Sequence, residues 1–109
     1  GWWSPLRNDI LQTITANFYT IMIVKAISTM GRPDNTQWVT QYKLQYQLDM
    51  LSPWYTYQDP PGTDKIFSAN KNGRSSITNT LAFPIEAKSI RLNPVAWHSG
   101  IALKWEILG

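Results

Sequence analysis

A single histidine limits the chemistry that this chain of 109 residues can perform. A serine nucleophile activated by histidine would have to use His98, because the sequence contains no other histidine and no cysteine. The chain also lacks the Gly-x-Ser-x-Gly segment that presents such a serine on a tight turn. One histidine without cysteine does not supply the ligands of a closed zinc site. The residue types therefore predict a protein that is not an enzyme and that uses no zinc or organic cofactor.

Calcium is a separate case, because it takes oxygen ligands from loops. The candidate ligands are Asp59, Asp64 and Asn70. The same residue types are common in turns, where their side chains stabilise the backbone geometry. The sequence leaves both interpretations open, a calcium site or ordinary turn residues.

The composition predicts one packed domain over residues 1–109, rich in aromatic residues and poor in charge. Aromatic residues make up 13% and charged residues 16%, and the net charge is +3. The basic residues are scattered and form no run of like charges, so no nucleic-acid surface is indicated. No apolar stretch approaches the roughly 18 to 20 residues of a membrane-spanning helix.

Alternating side chains predict the strands that must position a binding site. The clearest alternation covers residues 37–48. Its expected buried face consists of Trp38, Thr40, Tyr42, Leu44, Tyr46 and Leu48. Its expected wet face consists of Gln37, Val39, Gln41, Lys43, Gln45 and Gln47. This segment is therefore predicted to be a strand with an aromatic core face.

Further strands are predicted on both sides of this segment. Residues 101–107 alternate in the same way, and residues 21–29 are rich in β-branched residues and predict a mostly buried strand. Weaker patterns predict strands at 12–16, 54–57, 77–83 and 89–92. Turn-forming segments at 31–35, 59–62 and 70–73 separate them. Many short strands between turns are typical of an all-β sandwich or barrel.

Several segments, in order and at consistent spacing, resemble one protein family. They are Trp3-Ser4-Pro5 before Leu11-Gln12, Ile27 to Arg32, Gln37 to Tyr46, Lys65 to Asn70, Pro84 to Pro94 and Trp97 to Gly109. Together they resemble the discoidin family, also called the coagulation factor V/VIII type C domain. The resemblance implies a jelly-roll β-sandwich or barrel that acts as an extracellular binding module without catalytic activity.

The resemblance covers essentially the whole chain but only the C-terminal three quarters of a family domain. The first strands of the family domain, and both cysteines that bridge its ends, fall outside this sequence. We therefore expect a discoidin-like domain that is N-terminally truncated or partly built. The family further implies a secreted protein or cell-surface ectodomain with more than one domain.

Family members bind ligands with loops at one end of the sandwich. The resemblance places three such loops at Gly1-Trp2 with Asn8-Asp9, at residues 32–37, and at Trp97-His98. In members of the neuropilin type an aspartate, a group on the second loop and a tryptophan line one pocket. Asn8 stands at the aspartate position, so a cationic peptide end would lose its main charge partner. The expected binding residues are Trp2, Asn8, Asp9, Arg32, Asp34, Asn35, Gln37, Trp97 and His98.

A sugar suits the residue types in these loops. An aromatic ring packs against the apolar face of a pyranose, while polar side chains bond its hydroxyl groups. Trp97 is the expected platform, and Arg32, Asp34, Asn35 and His98 are the expected polar contacts. The alternatives are that Trp97 closes the end of the barrel and that His98 is an exposed turn residue.

The leading hypothesis is an adhesion module that binds a glycan or an extracellular protein. One alternative is an anionic phospholipid surface, favoured by the net charge of +3 and by an exposed Trp2. The polar loop at 32–36 has no apolar tip, which counts against deep insertion. A third possibility is a structural domain in a large assembly, which burial of Trp2 and Trp97 would favour.

Overall fold

Six strands make up the regular structure of residues 2–109, the part of the chain that the computed structural model describes. All their pairings are antiparallel, and the described residues contain no helix. The prediction of an all-β fold is therefore confirmed. The strands are β1 (Ile14–Met30), β2 (Trp38–Gln47), β3 (Tyr55–Thr56), β4 (Phe67–Ser68), β5 (Ile77–His98) and β6 (Lys104–Leu108).

Strand β5 lies at the centre of the structure. The sheet order is β3-β2-β5-β1-β6, with β4 also paired to β2. Residues 77–92 of β5 pair with β1, and residues 89–98 pair with β2. Buried side chains from both halves, such as Ile27 of β1 and Leu44 of β2, belong to one apolar cluster. The core therefore lies between the β1 half and the β2 half.

The two longest strands are each longer than the sequence predicts. Segments 12–16 and 21–29 join into β1, with residues 18–21 inserted between the pairs Asn17–Ser89 and Met22–Ala87. Segments 77–83 and 89–92 join into β5, with residues 81–84 inserted between Thr80 and Ile85. Extra residues of this kind bend a strand and raise its twist without ending it. The predicted breaks are therefore irregularities within continuous strands.

The prediction of a mostly buried strand at residues 21–29 is half correct. Val24, Ile27 and Thr29 are buried. Ile21, Met22 and Ile23 are 45–54% exposed, so that half of the prediction is wrong. Among residues 2–109, Met22 and Ile23 pair with β5 alone, whereas Ala26 to Thr29 pair with β6 as well. The sequence pattern indicates an apolar strand, but its side chains are buried only where another element packs against the strand.

An irregularity in β2 changes which side chains face the core. Val39 pairs with Trp97 and Gln41 with Ala96, so Thr40 is an extra residue in this strand. As a result Val39 is fully buried, together with Tyr42 and Leu44. Placing Val39 on the wet face was therefore wrong.

The same irregularity affects the predicted buried face. Trp38 is only partly buried and is not among the side chains described as packing on the core. Leu48 follows the end of β2 and is exposed. Tyr42, Leu44 and Tyr46 are buried or packed on the core, as predicted. The predicted face is therefore correct after the irregularity and wrong at both ends of the segment.

Tyr42 is the largest fully buried side chain, and its burial shifts the pKa of its hydroxyl group. Its ring stacks on Phe67, and its hydroxyl accepts a hydrogen bond from Asn79 Nδ2 at 3.1 Å. Burial disfavours the phenolate and raises the pKa of Tyr42 from 10.0 to about 12. The folded protein therefore holds this proton more tightly than the unfolded chain does.

This difference predicts a loss of stability at alkaline pH that depends on Tyr42. The contribution is complete below pH 10 and is lost as the pH rises from about 10 to about 12. At pH 11 the loss is about 1 kcal/mol. Urea unfolding at pH 8 and pH 11 should show that Tyr42→Phe removes this part of the pH dependence. Tyr19→Phe, at a fully exposed tyrosine, should retain it. An equal loss in wild type and Tyr42→Phe would contradict the prediction.

Candidate functional site

Three loops leave the structure at the same end, which is called the loop end here. They are residues 31–37 between β1 and β2, residues 69–76 between β4 and β5, and residues 99–103 between β5 and β6. The pairing places them together, because Thr29 lies opposite Ile77, Met30 opposite Lys104, and Trp38 opposite His98. The antiparallel register therefore brings the expected loop at residues 32–37 next to the end of β5. The expected loop at Trp97-His98 is wrong in its position, because both residues lie within β5 and the connecting loop begins at Ser99.

The first two loops are bonded to each other. Asn35 has a φ of 61°, and its Oδ1 accepts a hydrogen bond from the Gly73 N–H at 2.8 Å. A Cβ at Gly73 would overlap the carbonyl oxygen of Arg32, so only glycine fits this close approach. Arg74 Nε adds a bond to the Pro33 carbonyl at 3.3 Å. Asn35 therefore holds the loop end together, and its side-chain oxygen is already occupied.

Buried hydrogen bonds anchor the loop at residues 69–76 to the end of β1. Thr29 Oγ1 donates to Asn70 Oδ1 at 2.9 Å. Asn70 Nδ2 donates to the carbonyl oxygens of Thr29 at 2.9 Å and Ser75 at 2.8 Å. Asn70 and Thr29 are almost completely buried. This amide therefore fixes the loop to the end of β1.

Trp2, Arg32 and Asp34 form a polar and aromatic group at the loop end. The Arg32 guanidinium lies 5.7 Å from the centre of the Trp2 ring and 3.4 Å from Asp34 Oδ2. Thr36 Oγ1 donates to Asp34 Oδ1 at 2.6 Å. The Thr36 hydroxyl, together with the charge of Arg32, lowers the pKa of Asp34 below 3.8, so this exposed carboxylate is ionised at neutral pH. The structure thus brings three of the expected binding residues into contact.

Trp38 and His98 form a stacked pair at the start of β2 and the end of β5. Their ring centres are 4.2 Å apart and their planes are inclined by 13°. The pair borders an open hollow of about 430 Å³. Its other lining residues are Thr40, Gln41, Ser68, Ala69, Asn70 and Lys71. His98 is exposed, so ring surface and polar groups meet at one accessible place.

Asn8 and Gln37 support the loop at residues 99–103. Asn8 Oδ1 accepts the Ile101 N–H at 2.8 Å. Gln37 packs against Gly100, where an added Cβ would lie 2.6 Å from Gln37 Nε2. Both expected binding residues therefore lie at the loop end, where they hold the backbone in place.

Comparison with known proteins identifies the family of this chain. The family model for the F5/8 type C domain matches residues 1–107. The chain belongs to the F5/8 type C domain family. It is similar to retinoschisin of Takifugu rubripes, with 37% identity over 106 residues that cover 97% of this chain and 38% of that protein. The resemblance seen in the sequence is therefore confirmed.

Solved structures agree with this F5/8 type C assignment. Recombinant discoidin II of Dictyostelium discoideum matches with a TM-score of 0.87 and 38% identity, covering 99% of this chain and 42% of that chain. Chitosan-binding module 2 of a Paenibacillus chitosanase/glucanase, solved with chitotriose, matches with a TM-score of 0.69. At 18% identity, over 99% of this chain and 77% of that module, it shows the shared jelly-roll fold alone.

The F5/8 type C domain is one part of the proteins it resembles. The chain spans 38–47% of the length of the retinoschisins that it matches. In residues 2–109, no helix is both long enough and apolar enough to cross a bilayer. The family and the relatives that it includes, such as discoidin-2 of Dictyostelium discoideum, indicate an adhesion or binding module.

Two of the expected binding residues, Trp97 and Asp9, make contacts within the F5/8 type C domain itself. Trp97 lies opposite Val39, is partly buried and packs on the core. This placement agrees with the alternative in which Trp97 closes the end of the barrel. The Asp9 carboxylate accepts bonds from the Leu11 N–H and Gln12 Nε2, both at 3.0 Å, within its own turn. Direct ligand contact by either remains a prediction. Gly1 lies outside the described residues.

The sequence analysis did not identify Trp38 as a site residue. It assigned Trp38 to the core because the alternation was extended without an irregularity at Thr40. The available signal was Val39, an apolar β-branched residue on a face that is otherwise polar. Lys71 was missed as well, since one lysine in a turn segment carries no pattern of its own.

Two of the three calcium candidates have other side-chain partners in the structure. Asn70 is buried in the hydrogen bonds described above, and Asp64 lies 3.4 Å from Lys43 Nζ. Across residues 2–109, no group of three or more His, Cys, Asp or Glu side chains could hold a metal ion. A calcium site at Asp59, Asp64 and Asn70 therefore remains a prediction without geometric support.

Removing the Asn70 amide should destabilise the domain. Asn70→Ala leaves the buried carbonyl oxygen and hydroxyl of Thr29, and the carbonyl oxygen of the exposed Ser75, without their partner. The expected loss is about 2 to 4 kcal/mol in the free energy of unfolding, measured by urea titration. Lys71→Ala, at the exposed neighbouring position, should change it by less than about 0.5 kcal/mol. Equal stability of the two variants would show that the buried network has little effect.

Proposed function

We propose that this domain is a non-catalytic adhesion module that binds a glycan at the loop end. The observation that carries this proposal is the Trp38–His98 stack beside a hollow with polar groups. Binding takes place at the cell exterior, within a larger protein. Protein ligands would use the same surface.

The stacked pair suits a sugar because it combines ring surface with hydrogen-bonding groups. Gln41 and Ser68 line the same hollow and offer both donors and acceptors, which sugar hydroxyls require. Lys71 adds further donors. Aromatic side chains are efficient contacts because they bury a large area with few rotatable bonds. Trp38 takes the role of platform that the sequence assigned to Trp97.

The exposure of Trp2 favours ligand binding over the purely structural alternative. Burial of Trp2 and Trp97 against another domain would favour that alternative. Trp2 is 45% exposed and touches Arg32, which also pairs with Asp34. An aromatic ring beside an arginine and a carboxylate extends the surface available to a polar ligand.

Family membership supports recognition as the role of this domain. Discoidin II shares the fold and 38% of the aligned residues, and the chitosan-binding module shares the fold alone. His98, the only histidine, stacks on a tryptophan, and no described carboxylate is hydrogen-bonded to it. That environment suits a binding surface better than acid–base catalysis, in which a third group orients the histidine.

Truncating the stacked pair should weaken glycan binding. His98→Ala removes an exposed ring and is expected to lower affinity by roughly tenfold, and Trp38→Ala by more. The measurement is binding to a printed array of neutral and acidic glycans, followed by titration of the best ligand. Circular dichroism checks that each variant is folded.

The matched control is Tyr19→Ala, which removes a fully exposed aromatic ring from β1, outside the hollow. It should bind as the wild type does. Binding that survives in both His98→Ala and Trp38→Ala would place the site elsewhere. Absence of any glycan ligand would reject this function.

An anionic phospholipid surface is the second candidate, and the charge at the loop end favours it. Lys71, Arg74 and Lys104 are exposed at this end, and Arg32 lies close by. Asp34 is the one carboxylate within residues 31–37, 69–76 and 99–103. Basic residues near an anionic membrane contribute about 1 kcal/mol each.

This candidate predicts binding that depends on charge and salt. The variant Lys71→Gln with Arg74→Gln should bind phosphatidylserine vesicles at least tenfold more weakly than the wild type. Binding should also fall steeply between 50 and 300 mM salt, because screening shortens the range of the attraction. Equal retention on neutral phosphatidylcholine vesicles, in a co-sedimentation assay, would contradict it.

A further inference from the structure

A second hollow lies on the side of the domain, outside the three loops of the loop end. Its volume is about 430 Å³, within the range of small-ligand sites. Four of its lining residues are aromatic, and three others are polar. The lining residues are Tyr46, Trp54, Tyr55, Thr56, Gln58, Pro61, Asp64 and Phe83. The cavity lined by these eight residues is called the side groove.

Neighbouring side chains hold the aromatic walls of the side groove in place. Tyr46 and Tyr55 lie opposite each other on β2 and β3, with ring centres 5.9 Å apart. The Arg91 guanidinium stacks 4.1 Å from the Trp54 ring, and its Nε donates to Gln45 Oε1. The walls are therefore positioned before any ligand arrives, which lowers the entropic cost of binding.

Phe83 forms the other aromatic wall. Its ring stacks on the buried Tyr57, with centres 4.8 Å apart, and its N–H donates to the Tyr57 hydroxyl at 3.3 Å. Phe83 belongs to residues 81–84, the extra residues of β5. Phe83 and Tyr55 remain 46% and 53% exposed. The strand irregularity thus presents a large ring to solvent beside the polar groups of the groove.

The polar groups of the side groove include both donors and acceptors. Gln58 Oε1 accepts the Gly62 N–H at 2.9 Å, which leaves the amide nitrogen of Gln58 as a donor. Asp64 offers carboxylate oxygens and Thr56 a hydroxyl. A ligand with several hydroxyl groups can use all three.

The charge of the side groove favours a neutral ligand. Asp64 is its one charged lining residue and opposes an anion. Lys43 Nζ lies 3.4 Å from Asp64, which reduces the attraction for a cation. Aromatic walls, mixed donors and acceptors, and low net charge together match an uncharged sugar.

We propose that the side groove is a second carbohydrate site that takes neutral pyranose residues. The rings of Tyr55 and Phe83 contact the apolar faces of the sugar, and Gln58 and Asp64 bond its hydroxyl groups. The proposal rests on the proposed function for its ligand class, but its residues are separate from Trp38 and His98. One domain would then hold two sugar sites on different surfaces.

The test compares variants of the two sites on one printed array of neutral glycans. The proteins are the wild type, His98→Ala, Tyr55→Ala and Asp64→Asn, with Tyr19→Ala as the aromatic control. A set of glycans should remain bound by His98→Ala and lose about tenfold in affinity in Tyr55→Ala. Asp64→Asn, which keeps the side-chain shape, should weaken the same set a few-fold. Tyr19→Ala should bind as the wild type does.

The outcomes separate this proposal from the loop-end function. If His98→Ala abolishes all glycan binding while Tyr55→Ala and Asp64→Asn bind normally, the side-groove site is overturned and the loop-end site stands. If no neutral glycan binds any of the proteins, the side-groove site is overturned, whereas the loop-end function fails only if acidic glycans do not bind either. Aromatic grooves also take proline-rich peptides. Binding of such a peptide that depends on Tyr55, without glycan binding, would overturn the sugar assignment.

Discussion

Antiparallel pairing along β5 connects the two halves of the domain. This strand of 22 residues bonds to β1 through residues 77–92 and to β2 through residues 89–98. Because its two ends pair with different partners, the core closes between the β1 half and the β2 half. The same register brings the ends of β1, β2, β4 and β5 together, so the loops that carry the proposed sugar site depend on it.

The irregularities in the long strands place the functional side chains. The extra residue at Thr40 turns Val39 into the core and leaves Trp38 free to stack on His98. The extra residues at 81–84 present Phe83 to the side groove. Bulges of this kind commonly re-aim side chains next to binding sites. Both proposed sugar sites therefore depend on local departures from regular pairing.

The all-β fold could be predicted because alternation and turn residues are strong local signals, whereas the loop end was expected from the family resemblance. The alternation at Tyr42, Leu44 and Tyr46 and the glycine- and proline-rich turns recur in the structure almost where they were expected. The side chains of the site were harder to predict. Trp38 and Trp97 have similar chemistry in sequence, and only the register decides which one packs on the core. The exposure of Ile21 to Ile23 depends on what lies above β1, which no local pattern encodes.

The hydrogen bond between Asn35 and Gly73 joins the loops at residues 31–37 and 69–76, so neither loop can change shape alone. A library that varied both residues freely would lose the backbone contact and the loop geometry with it. Lys71 is different, because its exposed side chain takes no part in these bonds, whereas Arg74 bonds to Pro33 and Asp34 accepts bonds from Thr36. The domain thus separates positions that maintain loop shape from positions open to diversification, which is the arrangement that directed evolution of new binding specificities requires.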